Sequence, residues 1–287
     1  MTEQAELKNM PIGVFDSGVG GLTVLNEIRR VLPGEDLIYL GDTARVPYGT
    51  KSSVSITRYA EQALRALQSH KIKALVIACN TVSAVALDPL RAAHPELPIF
   101  GVVEPGAAVA CRTSKAGHIG VIATESTINN LAYHKAIISR RPDATVRGRA
   151  CSLFVALAEE GWHQGELVES IVRESLGNLL HADGDNALDT LVLGCTHFPA
   201  LREAIQNVVG NGVVLVDSAV TTADALAATL ADFNLCAARE VSGHVRFLVT
   251  DGPERFARVA PHFFSETVDV SKVELVDIQH FGSDQIL

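Results

Sequence analysis

Two cysteines in matching surroundings are the residues of this sequence best suited to chemistry. Cys79 stands in Leu75-Val76-Ile77-Ala78-Cys79-Asn80-Thr81, and Cys195 in Leu191-Val192-Leu193-Gly194-Cys195-Thr196-His197. Each follows an apolar run of strand length and precedes small polar residues suited to starting a helix. A free thiol has a pKa of about 8.5, so both protonation states lie within reach of neutrality. One such cysteine suggests a covalent nucleophile with a histidine base. Two in equivalent places suggest inversion of a carbon that bears one acidic hydrogen. That reaction needs a base on one face and an acid on the other, and two thiols in opposite protonation states supply both. Helix starts carry partial positive charge, which favours a thiolate and an anionic substrate. A disulfide between the two is the rival explanation, and a reducing cytosol disfavours it.

Other candidates gather around these motifs. Asp16 ends the apolar segment Ile12–Phe15 and opens the turn Asp16-Ser17-Gly18-Val19-Gly20-Gly21, while His197 lies two residues past Cys195. Either can orient a thiol or shift its pKa; turn capping for Asp16 and packing at a helix start for His197 are the plainer roles. Tyr48-Gly49 reads equally as a substrate-contacting segment or a tight turn, and Glu159-Glu160 alone reads as solvated surface. The glycine-rich turn lacks the Gly-Lys-Ser/Thr ending of a phosphate loop and the GxGxxG spacing, so a nucleotide site is a poor reading. It suits close backbone approach to a small anion. No lysine setting suggests pyridoxal phosphate and no spacing suggests metal ligands, so neither cofactor nor metal is expected. Cys111, Cys151 and Cys236 sit among apolar or small residues and read as inert thiols.

The elements that must position these residues alternate strand and helix. Strands are expected at Ile12–Phe15, Asp36–Leu40, Ala74–Ala78, Ile99–Val103, Ile119–Ile122, Thr145–Arg149, Leu191–Leu193 and Val213–Val216. Helices are expected over Leu22–Val31, Ser52–Ser69, from Asn80, from Thr127 to Ser139, over Gly165–His181, from Pro199 and over Thr221–Ala231. Such alternation means parallel sheets covered on both faces. The pattern also echoes itself. Ile12-Gly13-Val14-Phe15-Asp16-Ser17 resembles Ile119-Gly120-Val121-Ile122-Ala123-Thr124, and the two cysteine segments follow in the same order. The fold class is therefore α/β, with two similar three-layer α/β domains, mainly parallel sheets and a pseudo-twofold relation. The third strand of each domain delivers a cysteine to a shared cleft.

Bulk properties narrow the partners. A net charge of -9 over 287 residues gives no basic field for nucleic acid. The longest apolar runs are strand-sized, far short of a membrane span. Residues 1–10 form a polar tail without the basic start and apolar stretch of a signal peptide, so the expected location is cytoplasmic.

Several separated motifs resemble the cofactor-independent aspartate/glutamate racemase family. They are Asp16-Ser17-Gly18-Val19-Gly20-Gly21-Leu22-Thr23, Gly41-Asp42 with Pro47-Tyr48-Gly49, Ala78-Cys79-Asn80-Thr81, Gly101-Val102-Val103-Glu104-Pro105-Gly106 and Leu193-Gly194-Cys195-Thr196-His197-Phe198-Pro199. The resemblance implies interconversion of L- and D-glutamate, supplying D-glutamate for peptidoglycan, in a homodimer. It implies that Cys79 takes the proton from D-glutamate and Cys195 from L-glutamate, assisted by Asp16, Glu159 and His197. Substrate contacts are implied at Asp16, Ser17, Tyr48, Gly49, Asn80, Thr81, Thr124, Thr196 and His197. The second domain is implied to be inserted in the first, as residues 104–212 within 11–103 plus 213–287. Residues 240–287 match no motif of the family. A racemase for aspartate, a Cys195/His197 thiol hydrolase and a catalytically silent amino-acid-binding protein stay as alternatives.

Overall fold

The computed structural model describes residues 3–179, 187–237 and 241–281. Its strands, in chain order, are β1 (Ile12–Asp16), β2 (Leu37–Gly41), β3 (Ala74–Ile77), β4 (Ile99–Gly101), β5 (His118–Ala123), β6 (Thr145–Ala150), β7 (Thr190–Gly194), β8 (Val214–Asp217), β9 (Val245–Val249) and β10 (Val273–Leu275). They form two sheets, ordered β10-β9-β2-β1-β3-β4 and β6-β5-β7-β8. Every pairing is parallel. β1, β2, β3 and β7 are buried at every position, which explains their unbroken apolar character.

Helices cover both faces of each sheet. On one side of the first sheet, Ile56, Ala60, Leu64 and Leu67 of helix Ser53–Gln68 pack with Val82, Ala86 and Leu90 of helix Asn80–Ala93. These are the three- and four-residue spacings of an amphipathic helix, and Ser52 caps the first helix by accepting the Ser55 N–H. On the other side, Leu22, Leu25 and Ile28 of helix Leu22–Val31 pack with Ala223, Leu226 and Leu230 of helix Ser218–Asp232. The second sheet has an apolar cluster on each face, one built on Phe154, Val172 and Ile205, the other on Ala107, Tyr133 and Ile137.

The repeat runs further than the sequence echo. β2-β1-β3-β4 and β6-β5-β7-β8 have the same order, so β4 and β8 are equivalent edge strands. This corrects the expectation that the strand after position 213 returns to the first domain. β8 pairs with β7, Leu191 opposite Leu215, because helix Arg202–Val209 carries the chain back beside the strand it has just left. The return comes one element later, when helix Ser218–Asp232 docks on helix Leu22–Val31.

Smaller differences have local causes. The fourth strand ends at Gly101 because Val103 already begins a helix. The helix expected through Ser139 is two, Glu125–Asn130 and Ala132–Ile138, broken by Leu131 at φ 61°. That left-handed conformation interrupts a right-handed helix. The helix from Glu166 ends at Leu176 and continues as a single 3-10 turn to Leu179; its expected end at His181 lies outside the described residues. Part of the N-terminal tail is helix Glu3–Asn9. The motif-free C-terminal stretch supplies β9, β10 and helix Pro253–Val259, extending the first sheet beyond β2. Among the described residues no helix is long and apolar enough to cross a membrane.

Candidate active site

β3 and β7 are equivalent central strands, and the residue just beyond each turns into the same cleft. Cys79 is the N-cap of helix Asn80–Ala93, and Ser83 donates its N–H to the Cys79 carbonyl at 2.9 Å. Cys195 precedes a turn whose Phe198 N–H returns to the Cys195 carbonyl at 3.1 Å. Both thiols are free and buried, and both line one partly open cavity of about 70 Å³. Ser17, Tyr48, Gly49, Asn80, Thr81, Thr124, Glu159, Thr196 and His197 line the same cavity, joined by Gly18, Val46, Pro47 and Val155. Asp16 does not. Its carboxylate folds back beneath the turn it opens, with Oδ2 accepting the Gly18 N–H at 2.9 Å and Oδ1 buried without a partner.

The two thiols have different neighbours. Cys79 Sγ lies 3.4 Å from the Ser17 hydroxyl. Burial pushes its pKa up to about 12, and the Asp16 charge adds to the rise. Burial thus works against the thiolate that a helix start favours. Cys195 Sγ faces His197 Nδ1 at 3.8 Å, and His197 Nε2 meets Glu159 Oε1 at 3.1 Å. Burial alone would lower the His197 pKa, but the hydrogen bonds to Cys195 and Glu159 raise it to about 10. Burial would likewise raise Glu159, yet hydrogen bonds from His197 and Arg255 bring it below its ordinary value. The thiol, imidazole and carboxylate thus form one hydrogen-bonded series across the second domain.

Polar contacts join the halves of the cleft around these groups. Thr81 Oγ1 lies 2.9 Å from Thr124 Oγ1 and 3.2 Å from Thr127 Oγ1. Tyr133 donates its hydroxyl to Asn80 Oδ1 at 2.7 Å. Thr23 donates to both the Gly20 and Thr196 carbonyls, at 2.9 and 3.0 Å, tying the glycine-rich turn to the Cys195 turn. Tyr48 points its hydroxyl at Asp42, and Thr124 crowds Gly49 so closely that a Cβ there would lie 2.9 Å from it.

Sequence reasoning did not single out Thr127, Tyr133, Val155 or Arg255. Thr127 is one helical turn past Thr124 and could have been found from that spacing. The others arrive through tertiary packing and carry no local signal. Among the described residues no cluster of three or more His, Cys, Asp or Glu could hold a metal ion.

Fold and site together define a two-domain α/β enzyme that presents one cysteine from each domain to a shared cleft with hydroxyl, imidazole and carboxylate side chains in its lining. The Asp/Glu/Hydantoin racemase family model matches residues 12–226. The chain is 48% identical over 265 residues to the glutamate racemase of Geobacter metallireducens, spanning 92% of this chain and 96% of that one. It superimposes on the crystal structure of glutamate racemase from Francisella tularensis in complex with D-glutamate at a TM-score of 0.86. That match has 37% identity and covers 95% of this chain and 99% of the other. A glutamate racemase isoform from Bacillus anthracis gives a TM-score of 0.88 at 36% identity, covering 94% and 98%. The chain belongs to the Asp/Glu/Hydantoin racemase family and is an amino-acid racemase, an isomerase.

Proposed function

We propose that the protein interconverts L- and D-glutamate by moving protons between the α carbon and two thiols, without a cofactor. The observation that carries this reading is the delivery of Cys79 and Cys195, from equivalent strands of two domains, to one shared cavity. A substrate held between them has its α carbon flanked by a sulfur on each face. Glutamate is favoured over aspartate by the relatives, which are glutamate racemases, one of them holding D-glutamate.

The unequal surroundings supply a starting state. Burial holds Cys79 as a thiol, while the protonated His197 pairs with Cys195. The family resemblance assigns the faces: in the L-to-D direction Cys195 takes the α proton and Cys79 returns one to the opposite face. The D-to-L direction uses the reverse assignment. Ser17, Tyr48, Gly49, Asn80, Thr81, Thr124, Thr196 and His197 hold the substrate around this axis, and Asp16 acts from behind through its charge on Cys79 and His197. The family resemblance extends the reading to D-glutamate supply for peptidoglycan by a cytoplasmic homodimer, with the second domain inserted in the first.

The test is incubation with L-glutamate in deuterated water with nothing added, following optical rotation and α-hydrogen exchange. Inversion accompanied by exchange is expected; the absence of both with reduced cysteines refutes the reading. The series Cys195–His197–Glu159 also has the form of a thiol hydrolase triad. A hydrolase would keep its activity in Cys79→Ser, whereas a two-thiol racemase loses racemisation in Cys79→Ser and in Cys195→Ser alike.

A further inference from the structure

The Cys195 side of the cleft has a support that comes from the other domain. Helix Pro253–Val259 follows β9, in the part of the chain that carries no family motif. Its Arg255 donates Nη2 to Glu159 Oε2 at 2.9 Å. The other Glu159 oxygen is the one that meets His197 Nε2 at 3.1 Å, and His197 Nδ1 faces Cys195 Sγ at 3.8 Å. Guanidinium, carboxylate, imidazole and thiol form one continuous series, the first member from domain one and the other three from domain two. The same C-terminal segment sets the Phe263 ring edge-on against His197, with centroids 5.1 Å apart.

We propose that Arg255 is a positioning residue for racemisation, holding the Glu159 carboxylate oriented so that His197 stays aimed at Cys195. The inference rests on the two-thiol glutamate reading above. A carboxylate with each oxygen committed to a different donor is fixed in torsion, and a charge-assisted bond is the stronger kind. Without Arg255, Oε2 would face water, because the Glu159 side chain is 19% exposed, and the carboxylate could rotate away from His197. The Arg255 side chain is itself 53% exposed, and ion pairs at such positions add little to stability. Loss of activity on its removal therefore reports orientation rather than unfolding.

Three variants test this: Arg255→Gln, Arg255→Lys, and Arg246→Gln as a control that breaks the comparably exposed Arg246–Glu274 pair. Arg255→Gln should lower kcat/KM roughly tenfold, the order seen when an outer support of a reacting group is removed. The factor must be equal in both directions, because the enantiomers are equally stable. The diagnostic readout is the isotope effect of α-deuterated substrate on kcat/KM. Weakening the Cys195 face makes proton removal from L-glutamate more limiting, so the effect should grow from L-glutamate and shrink from D-glutamate. Arg255→Lys should restore most of both, and Arg246→Gln should change neither. Isotope effects in Arg255→Gln that match the parent in both directions would overturn the inference, as would the opposite asymmetry. A parent enzyme that leaves glutamate unchanged would refute the substrate reading itself, a failure visible before any variant is made.

Discussion

His197 stands with Nδ1 3.8 Å from Cys195 Sγ, and among the described residues no imidazole plays this part for Cys79, whose sulfur meets the Ser17 hydroxyl at 3.4 Å. Equivalent strands thus deliver chemically unequal thiols. Single-cysteine variants should show it: Cys79→Ser and Cys195→Ser should each lose two to four orders of magnitude in racemisation, roughly the worth of a positioned acid or base. In deuterated water, Cys79→Ser should retain α-exchange of L-glutamate and Cys195→Ser that of D-glutamate, measured by proton NMR on each enantiomer. Exchange of the same enantiomer in both variants would contradict the facing arrangement.

The His197–Glu159 link also sets a pH dependence of stability. Burial works against the charged imidazole, but its partners raise the folded pKa to about 10, above the ordinary value near 6.5. A raised pKa means the native state holds the proton more tightly than the unfolded chain. The stabilisation is complete below about pH 6.5 and is lost as pH rises through about 10. Denaturant titrations of the parent and of His197→Asn should therefore converge as pH increases from 6 to 10. Curves that stay parallel across that range would show that His197 is not charged in the fold.

How much of this was readable from sequence depends on the range of the interaction. Cys79 and Cys195 announce themselves because each follows an unbroken apolar run, the mark of a strand buried on both faces. The turn at Asp16 and the helix Ser53–Gln68 are equally local. The sheet that β8 joins is not, since an apolar run specifies a strand but not its neighbour; only its pairing with β7 settles that. Arg255 lies 96 residues from Glu159, and nothing in its own segment points to the cleft. The raised pKa of Cys79 is equally hidden, because it arises from burial and from a carboxylate on another strand.

Asp16 should act on Cys79 through space. Burial is the main cause of the high Cys79 pKa, and the Asp16 charge is next. Asp16→Asn removes the charge yet keeps an oxygen that can accept the Gly18 N–H. Loss of a negative neighbour favours the thiolate, so the Cys79 pKa should fall below about 12. In a Cys195→Ser background, alkylation of Cys79 by iodoacetamide at pH 8, followed by mass spectrometry of its peptide, should be severalfold faster in Asp16→Asn. An unchanged or slower rate would remove Asp16 from the control of this thiol.

Gly20 packs directly against the Cys195 turn, and it is a glycine for reasons of space. It is absent from the positive-φ residues, so the conformation suits any side chain. A Cβ there would lie 2.4 Å from Cε1 and Nδ1 of His197 and 2.6 Å from Thr196 Oγ1. His197 cannot easily yield, being held by Glu159 at 3.1 Å and backed by the Phe263 ring. Thr196 is fixed through its carbonyl by Thr23. Gly20→Ala should therefore push Nδ1 away from Cys195 and cost about 1–3 kcal/mol of stability, the usual penalty for overpacking. Racemisation should fall by more than the stability loss explains, with the larger α-deuterium isotope effect again on the L-glutamate side. A Gly20→Ala protein with normal turnover would mean that the imidazole position does not govern the reaction at Cys195.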